Sequence, residues 1–184
     1  MGHRLTAALV VAFAALCAGT AAAAVQVLGG GYAERCWRAT QGHAGASTRD
    51  CDLALSQEVL RPPDRAATFV NRGVLRLRAR SLDAAVADFD RALRIRPGLG
   101  EALVNRGAAR AAQRRWDAAL ADLDRGLASG VGEPEKAWFN KGLAHEGKGD
   151  LRAAYDAYRR AAELKPGWPE PDRELRRFQV RPAN

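Results

Sequence analysis

At 184 residues, 47% hydrophobic and 27% charged, the chain is sized for one domain with a real core, and it is neither a disordered polyelectrolyte nor a polytopic membrane protein. Its 29 basic and 21 acidic residues leave a formal charge of +8, and every basic residue except Lys136, Lys141, Lys148 and Lys165 is arginine. Such a surplus raises nucleic acid as a partner, a reading that the N-terminus then removes.

Met1–Arg4 carry one positive charge, Leu5–Leu16 form an uncharged apolar run, and small residues follow from Ala18 to Ala24. That is the layout of a secretory signal, with an A-x-A cleavage site at Ala22–Ala24 or Ala21–Ala23. Residues 1–24 are therefore expected to be removed, leaving a mature chain from about Val25 in the periplasm or outside the cell. The alternative is an uncleaved membrane anchor through residues 5–24, which is about long enough to span. Cys17 follows Leu16 instead of the small residue that lipoprotein signals carry, which disfavours lipidation. Outside the cytoplasm no nucleic-acid partner is expected, and membrane contact is expected only for an uncut anchor.

The mature chain repeats. Phe69-Val70-Asn71-Arg72-Gly73, Leu103-Val104-Asn105-Arg106-Gly107 and Trp138-Phe139-Asn140-Lys141-Gly142 place their glycines 34 and 35 residues apart. Twelve residues after each glycine stands Ala85, Ala119 or Ala154, then Phe89, Leu123 or Tyr158, then Ala92, Gly126 or Ala161. Pro97 and Pro166 close the first and third units, and an extra residue around Gly130-Val131-Gly132 accounts for the longer spacing. Alanine- and arginine-rich stretches with few β-branched residues favour helix. The pattern predicts helices at about 66–79, 82–95, 100–113, 116–128, 135–147 and 150–163, with Asp83, Asp117 and Asp150 capping the second helix of each unit. Upstream, Asp50-Cys51-Asp52 echoes Asp88-Phe89-Asp90, so Tyr32–Thr40 and 47–60 are expected to form a degenerate unit. Downstream, Glu170–Val180 is expected to be a capping helix with Leu175 and Phe178 on its inner side.

The spaced residues of 66–166 resemble the tetratricopeptide repeat, a 34-residue helix–turn–helix unit. The resemblance implies an all-α, right-handed α-solenoid with a C-terminal capping helix. Its units would be a signal at 1–24, a degenerate repeat at 25–62, three repeats at 63–168 (about 66–99, 100–134 and 135–168), and a cap and tail at 169–184. Gly73, Ala85, Phe89, Ala92, Gly107, Ala119, Leu123, Gly142, Ala154, Tyr158 and Ala161 would be its packing residues. The chain departs from the family where Arg72, Arg106 and Lys141 replace Leu before each glycine, and where Arg76, Arg110 and His145 replace Tyr.

Cys36 and Cys51 fall in the two helices of the degenerate unit. In an exported chain an even pair reads as a disulfide, and alternatives are a metal site with His43 or a reactive thiol. No nucleophile elbow, glycine-rich phosphate loop or H-x-x-x-H pair occurs, so neither catalysis nor a cofactor or metal is expected. The pairs Asp88/Asp90 and Asp122/Asp124 recur at one register, which reads as a solvated helix face, with the repeated arginines partly paired to it.

In this family the first helix of each unit lines a concave groove. Asn71, Asn105 and Asn140 are expected to form a column along it, each offering a donor and an acceptor to an extended backbone. Val70, Val104, Phe139, Glu101 and Lys136 are its expected neighbours, with Val74. Val70 and Val74 stand where the carboxylate clamp of chaperone adaptors carries Lys and Asn, so a Glu-Glu-Val-Asp tail is not the expected ligand. The resemblance implies a bacterial, exported protein–protein interaction scaffold that takes a peptide or partner segment. Alternatives are a self-associating envelope protein, or a basic surface drawn to anionic lipid or polysaccharide.

Overall fold

The computed structural model describes residues 4–7, 23–26, 31–42 and 47–181. It is an all-α repeat solenoid. The degenerate unit is α1 (Tyr32–Gln41) and α2 (Arg49–Gln57), and the three units that follow are α3/α4 (Pro62–Arg78, Leu82–Ile95), α5/α6 (Gly100–Ala112, Trp116–Ala128) and α7/α8 (Pro134–Lys148, Leu151–Leu164). A short α9 (Pro169–Leu175) ends the stack. Two four-residue strands, β1 (Arg4–Ala7) and β2 (Phe178–Arg181), pair antiparallel, Arg4 opposite Arg181.

The helices follow local chemistry. Proline stands in the first turn of α3, α7 and α9, where its missing N–H costs nothing. This starts α3 at Pro62, four residues before the repeat pattern predicts. Of the three expected caps only Asp150 acts as one, accepting from the backbone N–H of Ala153 at 3.1 Å. Asp83 and Asp117 lie inside the first turn and reach the next unit instead, taking bonds from Gln113 Nε2 and Lys148 Nζ, both at 2.6 Å. The predicted capping helix over 170–180 is shorter than expected. It stops at Leu175, and Phe178-Gln179-Val180, whose side chains suit a strand better, continues as β2. Phe178 is buried between the rings of Tyr155 and Tyr158, with centroids 5.8 and 6.1 Å away.

Within each unit the two helices meet at the repeat glycine. A Cβ on Gly73 would lie 2.5 Å from Phe89, one on Gly107 2.8 Å from Leu123, and one on Gly142 2.4 Å from the Tyr158 ring. Ala85, Ala92, Ala119, Ala154 and Ala161 are likewise fully buried.

The expectation of a solvated acidic face fails at two positions. Asp88 and Asp122 are buried, at 0% and 2% exposure. Arg72 grips Asp88 with two parallel bonds, Nε to Oδ2 at 2.9 Å and Nη2 to Oδ1 at 2.7 Å, and Arg76 and Arg91 complete the cluster. Arg106 grips Asp122 in the same geometry, assisted by Arg110 at 2.7 Å. The arginines that displaced the family's Leu and Tyr thus enclose and neutralise a carboxylate in each of the first two units. Their remaining donors bridge units: Arg72 to Asp52, Arg106 to Asp90 and Lys141 to Asp124, at 2.6–2.7 Å. In the third unit Ala157 replaces the acid. There Tyr158 donates to Glu146 at 2.9 Å, and burial, reinforced by that carboxylate, pushes its phenol well above the ordinary range. Burial holds the His145 imidazole below its usual value.

Two consequences are measurable by urea unfolding. Gly73→Ala lowers stability by about 1–2 kcal/mol, the overpacking outweighing the gain in helix propensity. Gly98→Ala, which meets nothing within 4 Å, costs no packing. Asp88→Ala, which removes the buried carboxylate shared by Arg72, Arg76 and Arg91 and leaves Arg72 only its bond to Asp52, costs about 3–5 kcal/mol, whereas Asp156→Ala on the exposed face of α8 costs at most about 0.5 kcal/mol.

Candidate peptide-binding groove

The first helices of the three units form one wall: α3 contacts α5 and α5 contacts α7, while α4 and α6 each pack between successive first helices. Because each asparagine stands two residues before the glycine at which its helix pair meets, Asn71, Asn105 and Asn140 recur at one position along that wall. All three are buried.

Asn71 and Asn105 engage backbone. The Val25 N–H donates to Asn71 Oδ1 at 2.9 Å, and Asn71 Nδ2 donates back to the Val25 carbonyl at 2.8 Å. One primary amide thereby satisfies both polar groups of a single residue, as a neighbouring strand would. Asn105 Nδ2 donates to the Ala23 carbonyl at 3.1 Å. Residues 23 and 25 face the column while Ala24 does not bond it, the two-residue period of an extended chain. Among the described residues, Asn105 Oδ1 and Asn140 Oδ1 are buried acceptors with no hydrogen-bond partner.

Apolar packing accompanies these bonds. Val25 lies against the cluster that contains Val70 and Val74 and against a second formed by Ala33, Ala54 and Ala67. Ala23 is 5% exposed. The other expected neighbours serve differently. Val104 packs with Leu123, Val131 and Ala137, and Phe139 stacks on Tyr158 and Trp168 with centroids 5.5 and 5.1 Å apart. Both side chains are committed to the core between helices. Glu101 and Lys136 stand one turn before Asn105 and Asn140, half-buried, and Lys136 pairs with Glu133 at 2.5 Å.

At the near end, Cys36 and Cys51 are fully buried with their Cα atoms 4.7 Å apart and their sulfurs joined, tying α1 to α2. His43, the other member of the alternative metal site, lies outside the described residues, and among those described no cluster of three or more His, Cys, Asp or Glu could hold a metal. Cys17 and residues 8–22 of the apolar segment that would form an anchor also lie outside them, whereas Leu5–Ala7 belong to β1. No helix among the described residues is long and apolar enough to cross a membrane. Glu58, just past α2, accepts from the backbone N–H groups of Tyr32 and Ala33 and so caps α1 from another element. Arg78 Nη1 takes the Thr40 carbonyl at 2.6 Å at the other end of α1. Neither contact has a signature in residue spacing.

A family model described as Tetratricopeptide repeat matches residues 41–100 and 104–169, a stretch that takes in α2 as well as the three full units. No curated protein matches. Among solved structures, the first TPR domain of human RPAP3 is 24% identical with a TM-score of 0.58, over 62% of this chain and 89% of that one. The first TPR of Spaghetti bound to the HSP90 peptide SRMEEVD is 23% identical with a TM-score of 0.57, over 62% and 90%. MamA from Desulfovibrio magneticus RS-1 is 22% identical with a TM-score of 0.60, over 79% and 82%. At these identities the likeness is one of fold.

Proposed function

The chain belongs to the tetratricopeptide repeat family, and from that premise we propose that it is a non-catalytic interaction scaffold of the periplasm or cell envelope whose asparagine column holds an extended peptide or partner segment. The observation that carries this reading is the paired bond between Asn71 and the backbone of Val25. A side-chain amide that satisfies both the N–H and C=O of one residue binds chain without regard to its side chain. Asn105 and Asn140 repeat the same group at one register, with acceptors still to be used. The neighbour that binds SRMEEVD is a precedent for a peptide in this fold, but its ligand does not transfer. Val70 and Val74 are buried apolar residues here and offer no charge to a terminal carboxylate.

Binding of this kind depends on the amides and is insensitive to ligand charge. In a fluorescence-anisotropy screen of unrelated nine-residue peptides, Asn71→Ala combined with Asn105→Ala weakens every hit about tenfold or more, as expected for losing two or three hydrogen bonds. Moderate salt leaves the affinities unchanged. Binding that salt abolishes and the double variant retains would point instead to adsorption by the arginine surface.

Export and the cysteine pair support the location. A buried disulfide needs an oxidising compartment, and the leader supplies the route to it. The protein recovered from cells is expected to begin near Val25. Closing the 15-residue loop contributes about 3 kcal/mol in the chain-entropy model, so Cys36→Ser with Cys51→Ser lowers the melting temperature and speeds hydrogen exchange chiefly in residues 31–60. Equal protection there in oxidised and reduced protein would contradict this role.

A further inference from the structure

The ladder is already occupied, and by the chain itself. Residues 23–26 lie 46 and 82 positions away in sequence from the asparagines they meet, so the contact is not a by-product of local chain geometry. It also involves the side chains. Ala23 is buried where its carbonyl meets Asn105, and Val25 rests on two apolar clusters where its backbone meets Asn71. Farther along the stack β1 pairs with β2, beside α8. The N-terminal stretch therefore touches the solenoid both at its last unit and at its first two, and it runs against the direction of the repeats.

We infer that residues 23–26 are a built-in pseudo-ligand of the groove, which blocks Asn71 and Asn105 in the uncut chain and displays the class of peptide the site takes in trans: an extended segment with a small residue two positions before an aliphatic one. This rests on the peptide-binding reading above and narrows it. Displacement of the segment opens both rungs. A cut after Ala24, the place where the small residues admit a signal peptidase, removes the Ala23 carbonyl from Asn105. It leaves Val25 at Asn71, so processing and opening of the groove are one event at the second rung.

The test uses the full chain. Hydrogen exchange should show the Val25 amide protected at least tenfold beyond its unstructured rate, independent of protein concentration, with protection lost in Asn71→Ala. Val25→Pro deletes the N–H that donates to Asn71 at a position outside every helix, so the repeats fold regardless. A labelled peptide with the sequence of residues 20–28 should bind this variant at least tenfold more tightly than the wild-type chain. The same peptide with tryptophan in place of the alanine at position 23 should bind at least tenfold more weakly than the unaltered one. An unprotected Val25 amide overturns the inference, as does protection that fades on dilution, which would mean exchange of segments between copies. Equal peptide binding by wild type and Val25→Pro overturns it too, while leaving the groove a peptide site. Protection at Val25 with no peptide bound by either protein keeps the internal contact and overturns the trans-binding reading instead.

Discussion

The regular stacking of this molecule depends on how closely two helices can approach at Gly73, Gly107 and Gly142. No Cβ fits at these points, because the ring of Phe89 or Tyr158, or the branched end of Leu123, lies within van der Waals range of the backbone. With the separation fixed, the crossing geometry of each pair is fixed, and three nearly identical pairs stack with a constant offset. A constant offset is what converts one asparagine per unit into a column. Had one unit packed at a different distance, Asn71 and Asn105 would not have met alternate residues of one extended segment.

The seam around that contact is unusual in its chemistry. Where the family carries apolar residues, the first two units carry two arginines each, and the structure answers with a buried aspartate. Burying such a group costs several kcal/mol unless every lone pair is met, and a cluster of this kind is seldom more stable than the apolar seam it replaces. What it adds is register. A bidentate guanidinium–carboxylate pair tolerates little sliding, and the third donor of Arg72 and Arg106 reaches back to the preceding unit, so the same residue orients its own helix pair and the neighbouring one. The third unit, with Lys141, His145 and Ala157, abandons the cluster and uses an aromatic stack capped by Trp168 and Phe178, as suits a unit with a neighbour on one side only.

Much of this was legible in residue order. The glycines, the alanines twelve residues on and the large residues beyond them announce the helix pairs, because close packing demands small residues at fixed spacing. That Asn71, Asn105 and Asn140 share one register was legible for the same reason. The buried aspartates were misread, although the evidence for them stood in the sequence: Arg72 and Asp88, and Arg106 and Asp122, share one separation, and acid and arginine disappear together in the third unit. Periodicity locates a residue along a helix but does not say which of two polar partners lies inside. Val104 and Phe139 were placed in the groove by register, yet the residue just before each asparagine turns toward the second helix. The end of α9 was misplaced because β2 forms only against β1, a partner more than 170 residues away that no local pattern reveals.

If the column is a peptide site, its occupation by residues 23–25 follows from its own chemistry. An amide that recognises N–H and C=O makes little distinction among chains, so it needs another source of selectivity. A tethered segment has an effective concentration in the millimolar range and will fill such a site unless a competitor binds more tightly or the tether is cut. The small and aliphatic residues at 23 and 25 improve that internal fit, which raises the threshold any outside peptide must exceed. On the proposed reading, a groove built on backbone recognition therefore acquires discrimination from the segment that closes it, and residues 23–26 become part of the binding site.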